Sequence, residues 1–172
     1  MVAELEHWHD FYVLVGTAGA TLLALLFVAL SLGAGFLDES RAAATRAFYS
    51  PIVVHFTAVF FLAAIALVPA HRAEFFAGVI AACAAIGVAV SLFVTVQLLR
   101  HDWTRYTQDH LSYALLPTLA YFALLVAAGL IWTDNDVALD VLAGALLLLL
   151  VINIRNAWDL TLSMVRHQTE RR

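Results

Sequence analysis

Apolar residues in this chain run in long continuous blocks, with none of the apolar–polar alternation of a barrel strand. Five blocks are about as long as the roughly 20 residues needed to cross 30 Å of hydrocarbon: Phe11 to Phe36, Ala47 to Ala70, Phe75 to Leu99, Leu111 to Trp132 and Val137 to Ile154, the last being the shortest. In lipid each backbone polar group must be satisfied within its own segment, so the blocks predict helices. The expected fold is all-α, an integral membrane bundle of five transmembrane helices. Residues 1–155 form the bundle, and residues 156–172 form a tail. Short connections make successive helices antiparallel neighbours, most tightly at Thr133 to Asp136, where Asp136 is the expected N-cap of the fifth helix. In the tail, Trp158, Leu162 and Val165 share one face, so it either lies on the membrane surface or extends the fifth helix.

Composition agrees with this reading. Of 172 residues 63% are hydrophobic, with a mean hydropathy of +0.90, more apolar surface than a soluble domain buries. All nine basic side chains are arginine, which fits a bacterial source. Arg41 and Arg46, Arg100 and Arg105, and Arg155, Arg166, Arg171 and Arg172 fall on one side of the five blocks. Arg72 falls on the other, together with Glu4, Glu6, Asp10, Asp134 and Asp136. Cytoplasmic loops retain positive charge, so the N-terminus is expected outside and the C-terminus in the cytoplasm. The acidic start is unlike a cleavable signal peptide, and the first block is expected to remain in the mature protein.

Small residues mark close helix approaches. Gly16, Ala20, Ala24, Ser31 and Gly35 lie near one stripe of the first block. In the third, Ala77, Ala81, Ala85 and Ala89 run beside Gly87, Ser91 and Thr95, which predicts a helix that is central or at a subunit interface. Uncharged polar residues collect in the cytoplasmic half, which holds His55 and Thr57, Ser91, Thr95 and Gln97, Ser112, Tyr113, Thr118 and Tyr121 around Pro117, and Asn153. Buried polar groups need partners. His55, Thr95, Gln97 and Asn153 are therefore the candidate inner polar network or vestibule. If Ser50 caps a helix that begins with Pro51, His55 sits about 6 Å inside it, and a start upstream in "RAAATRAF" places it deeper. At the opposite surface Asp134, Asp136 and Asp140 are the candidate cation-attracting mouth, although Asp140 also suits the N-terminal end of a helix dipole.

Cofactor chemistry finds little support. His55 has no second histidine at matching depth for haem, and Cys83 is alone, so there is no intrachain disulfide and no cysteine-based zinc or iron-sulfur site. His7 and His9 with His71 have metal-binding side chains, but a solvated interfacial rim is the favoured reading, with Trp8 and Tyr12 as interfacial anchors. Neither metal nor cofactor is expected. Without HExxH, GxSxG or a phosphate-binding glycine loop, the chain is not expected to be an enzyme, and His101, Asp102, Asp109 and His110 read as surface groups. The expected function is permeation of cations or small solutes by a homo-oligomer in the bilayer, or else a non-catalytic accessory or scaffold role in a larger membrane complex; no nucleic-acid partner is expected. The stretch from Trp8 to Leu32 resembles the first span of small multi-pass bacterial inner-membrane proteins of uncharacterised function. That resemblance implies a bacterial inner-membrane location and transfers no site residue.

Overall fold

The computed structural model describes residues 6–33, 39–69, 72–101 and 111–170, which are helical apart from short turns and contain no strand. The helices are α1 (His9–Gly33), α2 (Glu39–Ala66), α3 (Ala73–His101), α4 (Leu116–Trp132) and α5 (Ala138–Glu170), with one π-helical turn, Leu111–Leu115, leading into α4. Four stretches are long and apolar enough to cross a membrane: His9–Ser31, Ala73–Gln97, Tyr113–Trp132 and Ala138–Leu162. Pro51–Ala66 is a shorter apolar stretch within α2. Among the expected positions, Glu4, Gly35, His71, Asp102, Arg105, Asp109, His110, Arg171 and Arg172 lie outside the described residues.

Each helix packs on the next, α5 also meets α1, and α2 meets α5 across the resulting ring. Half of the α5 span is buried, against 22% of the α1 span and 28% of the α3 span. The central positions therefore belong to α2, α4 and α5, and α3 is peripheral. Its Ile80, Ala84, Gly87, Ser91 and Val94 face inward at alternating three- and four-residue steps, while Ala85 and Ala89 of the alanine row are exposed. Both alanine and glycine permit close approach, so composition alone does not say which row a neighbour uses. In α1 the buried line is Tyr12, Val15, Gly16, Gly19 and Leu26; Ala24 and Ser31 of the expected stripe turn outward. Tyr12 is fully buried and does not anchor at the interface.

α1 and α2 approach each other closely. A Cβ on Gly16 would stand 3.2 Å from the Cβ of Ala63, and one on Gly19 would stand 3.4 Å from the Phe60 backbone nitrogen. Two boundaries depart from expectation. α2 begins at Glu39, so Pro51 is inside the helix and Ser50 does not cap it. Surrounding helical turns hold the chain through a position where proline removes one backbone donor. α5 continues to Glu170, so residues 156–170 extend the fifth helix.

The α4–α5 connection is built from polar atoms. The Asp134 N–H donates to Ile131 O at 3.1 Å and the Asn135 N–H to Leu130 O at 3.0 Å, with Asp134 in the left-handed region at φ 54°. This is a Schellman closure, with aspartate where glycine is usual. Asn135 Oδ1 then accepts the Val137 N–H at 3.1 Å, so Asn135, one residue before the expected Asp136, satisfies the start of α5.

Replacing Gly16 by leucine should destabilise the fold by about 1–3 kcal/mol, because the side chain would overpack the contact with Ala63. Gly78 is the control, since a Cβ added there would meet nothing within 4 Å. Gly78→Leu should stay within about 0.5 kcal/mol of the parent in equilibrium unfolding from mixed micelles.

Candidate functional site

His55 is 1% exposed, and its position on α2 is about 16 Å from the Ala66 end of the helix at 1.5 Å per residue. Tyr121 on α4 lies at the same distance, about 16 Å, from Trp132, so the two residues meet at one level of the bundle. Tyr121 Oη is 2.7 Å from His55 Nδ1, and the ring centroids are 5.4 Å apart. According to the imidazole tautomer, either the phenol O–H donates to Nδ1 or an Nδ1–H donates to the phenol oxygen.

Gly87 of α3 makes room for this pair. A Cβ there would penetrate the Tyr121 ring, so the tyrosine lies over a bare stretch of α3 backbone and reaches α2. Three helices thus meet at one level: α4 supplies the ring, α3 the missing side chain and α2 the imidazole.

The other candidate inner residues do not join this pair. Thr95 Oγ1 donates to Ser91 O at 2.8 Å and Asn153 Nδ2 donates to Leu149 O at 2.8 Å, each within its own helix, while Gln97 is half-buried. Thr118 Oγ1 likewise donates to Ala114 O. A helix carbonyl four residues back is always within reach of such side chains, so they need no partner on another helix. The buried Ser91 Oγ and Asn153 Oδ1 have no hydrogen-bond partner. A second bond between helical segments does occur, from the Tyr113 hydroxyl to Asn156 O at 3.0 Å, and it ties the π-helical turn before α4 to α5. Asn156 is 2% exposed, although by sequence it falls in the tail.

At the other end Asp134, Asp136 and Asp140 are all exposed. Asp134 has a structural use in closing α4. Asp140 lies in the first turn of α5, where a carboxylate suits the positive end of the helix dipole. His7 and His9 are exposed, and among the described residues no three His, Cys, Asp or Glu side chains gather in a metal-binding group.

Sequence reasoning finds His55 but not its partner. In the sequence Tyr121 is only one polar residue around Pro117, and Gly87 only one member of a small-residue row. A glycine on a span's inward seam, opposite an intramembrane aromatic with a polar tip, is the available signal. The chain matches no family model, no curated protein and no solved structure.

Tyr121→Phe should lower stability by roughly 0.6–1.7 kcal/mol, the range for hydrogen bonds between membrane helices. Gly87→Ala should cost more, because the ring must leave its seat, and combining it with Tyr121→Ala should recover part of the loss in the same unfolding titration. Asp134→Gly should keep or raise stability, by up to about 1 kcal/mol, because glycine has no side-chain penalty in the left-handed region.

Proposed function

We propose that this chain is a non-catalytic accessory or scaffold subunit of a larger complex in a bacterial inner membrane. In this reading all five helices cross the bilayer, with the N-terminus outside and the C-terminus in the cytoplasm. The observation that carries it is the filled centre of the bundle. α2 and α5 pack across the ring of helices, and the His55–Tyr121 bond bridges α2 and α4 at mid-depth. Thr95, Thr118 and Asn153 donate to their own helices, so these donors are satisfied locally within one chain. Large apolar side chains such as Phe27, Phe93, Phe122 and Val151 remain exposed and suit contact with lipid or another membrane subunit.

The arginine distribution supports the orientation. The end holding Asp134, Asp136, Asp140 and Glu74 carries Arg72 alone, and the other eight arginines belong to the opposite side. Permeation is the second reading, favoured by the exposure of Asp136 and Asp140 at the acidic end. Its path would run between copies of the chain, since the centre of one copy is packed.

Reconstituted alone in proteoliposomes, the chain should give no cation flux above empty vesicles. From its native membrane it should co-purify at fixed stoichiometry with a different membrane protein. Cation flux that falls in Asp140→Asn would overturn the scaffold reading in favour of permeation. For orientation, a Cys83→Ser, Asn135→Cys variant in intact cells should react with a membrane-impermeant maleimide, and protection until the cells are lysed would reverse it.

A further inference from the structure

A cleft of about 230 Å³ opens sideways between α2 and α3, lined by Val53, Val54, Thr57, Ala58, Phe61, Cys83, Ile86 and Gly87, with Tyr121 also at its wall. Thr57 and Cys83 lie about 14–15 Å from the Ala66 and Ala73 ends of their helices, so the opening faces the middle of the hydrocarbon layer and not a headgroup region. Its polar groups are few and weak. They are one threonine hydroxyl, one thiol and a phenol whose oxygen is already engaged by His55.

We propose that this cleft holds one acyl chain of a membrane lipid, seated against the Tyr121 ring where Gly87 leaves the α3 backbone bare. An apolar protein cavity of about 150 Å³ accepts benzene, so a larger cleft with a similar lining takes a branch-free hydrocarbon segment. Placement selects the occupant: at mid-depth the surrounding solvent is acyl chain, and the lining offers no charge or amide to hold a headgroup. The exposed Phe61 and Ile86 form lips through which a chain can enter from the bilayer. An acyl chain lying there contacts both α2 and α3 and buttresses the ring that bonds His55. The inference rests on the membrane-spanning assignment and not on the scaffold role.

Mid-chain diazirine phosphatidylcholine in nanodiscs tests it on the full chain, with adducts mapped by peptide mass spectrometry. Leu147 on α5 and Phe122 on α4 are exposed at matching depth and report ordinary lipid contact. Adducts on Val53 to Phe61 and Cys83 to Gly87 should exceed those at Leu147 and Phe122 by roughly fivefold, the ratio produced by a preference of about 1 kcal/mol. Thr57→Trp or Cys83→Leu, each filling the cleft from one wall, should remove the excess while labelling at Leu147 and Phe122 persists. Equal labelling at all these positions would overturn the proposal, as would a cleft cross-linked to a second copy in place of lipid. Adducts absent from Leu147 and Phe122 as well would overturn the membrane-spanning assignment itself.

Discussion

Tyr121 needs three things from three helices, and the bundle meets all of them at one level. Its backbone belongs to α4, its ring requires Gly87 on α3, and its hydroxyl requires His55 on α2. A bonded pair in hydrocarbon has few alternative partners, since lipid supplies none, although the measured worth of such bonds is modest. Specificity is the larger consequence. If α3 slid by one residue, a side chain would replace the bare backbone beneath the ring, and if α2 rotated, the imidazole would leave the phenol's reach. The register of half the bundle is thus coupled to one small void and one proton.

Elsewhere the bundle uses polarity locally. Thr95, Thr118, Thr161 and Asn153 return their donors to carbonyls of their own helices. The α4–α5 turn is closed by backbone groups and by Asn135, with Asp134 in a conformation that few side chains tolerate. Arg72 and Glu74 pair at 2.7 Å on the surface, where an exposed ion pair contributes little. What remains to hold α1, α2 and α5 together is close packing, with Gly16 set against Ala63 and Tyr12 buried whole.

Helix number and approximate limits were legible because a lipid-facing helix leaves long apolar text that no loop shares. Even so, Pro51 misled in one direction and the polar end of α5 in another. Proline is favoured in a first helical turn, yet α2 carries it inside, because upstream residues continue the helix against its local cost. "NAWDLTLSMVRHQTE" reads equally well as a surface helix or a continuation, and nothing local decides between them. The candidate network was read from depth alone, and depth does not separate a side chain that crosses to another helix from one that folds back on its own.

By itself the sequence determined that the fold is all-helical, that several of its helices are long and apolar enough for a bilayer, and that His55 is an unusual residue to place among them. Those conclusions follow from composition and from the demand that backbone groups in lipid be satisfied within each segment. Only the tertiary structure decided that Tyr121 answers His55, that Gly87 rather than the Ala85–Ala89 row faces inward, and that α2 and α5 fill the centre. The physical reason is rotation about the helix axis. Hydrophobicity is nearly uniform around these helices, so the sequence carries little signal for which face turns inward, and shape complementarity at the contacts supplies it.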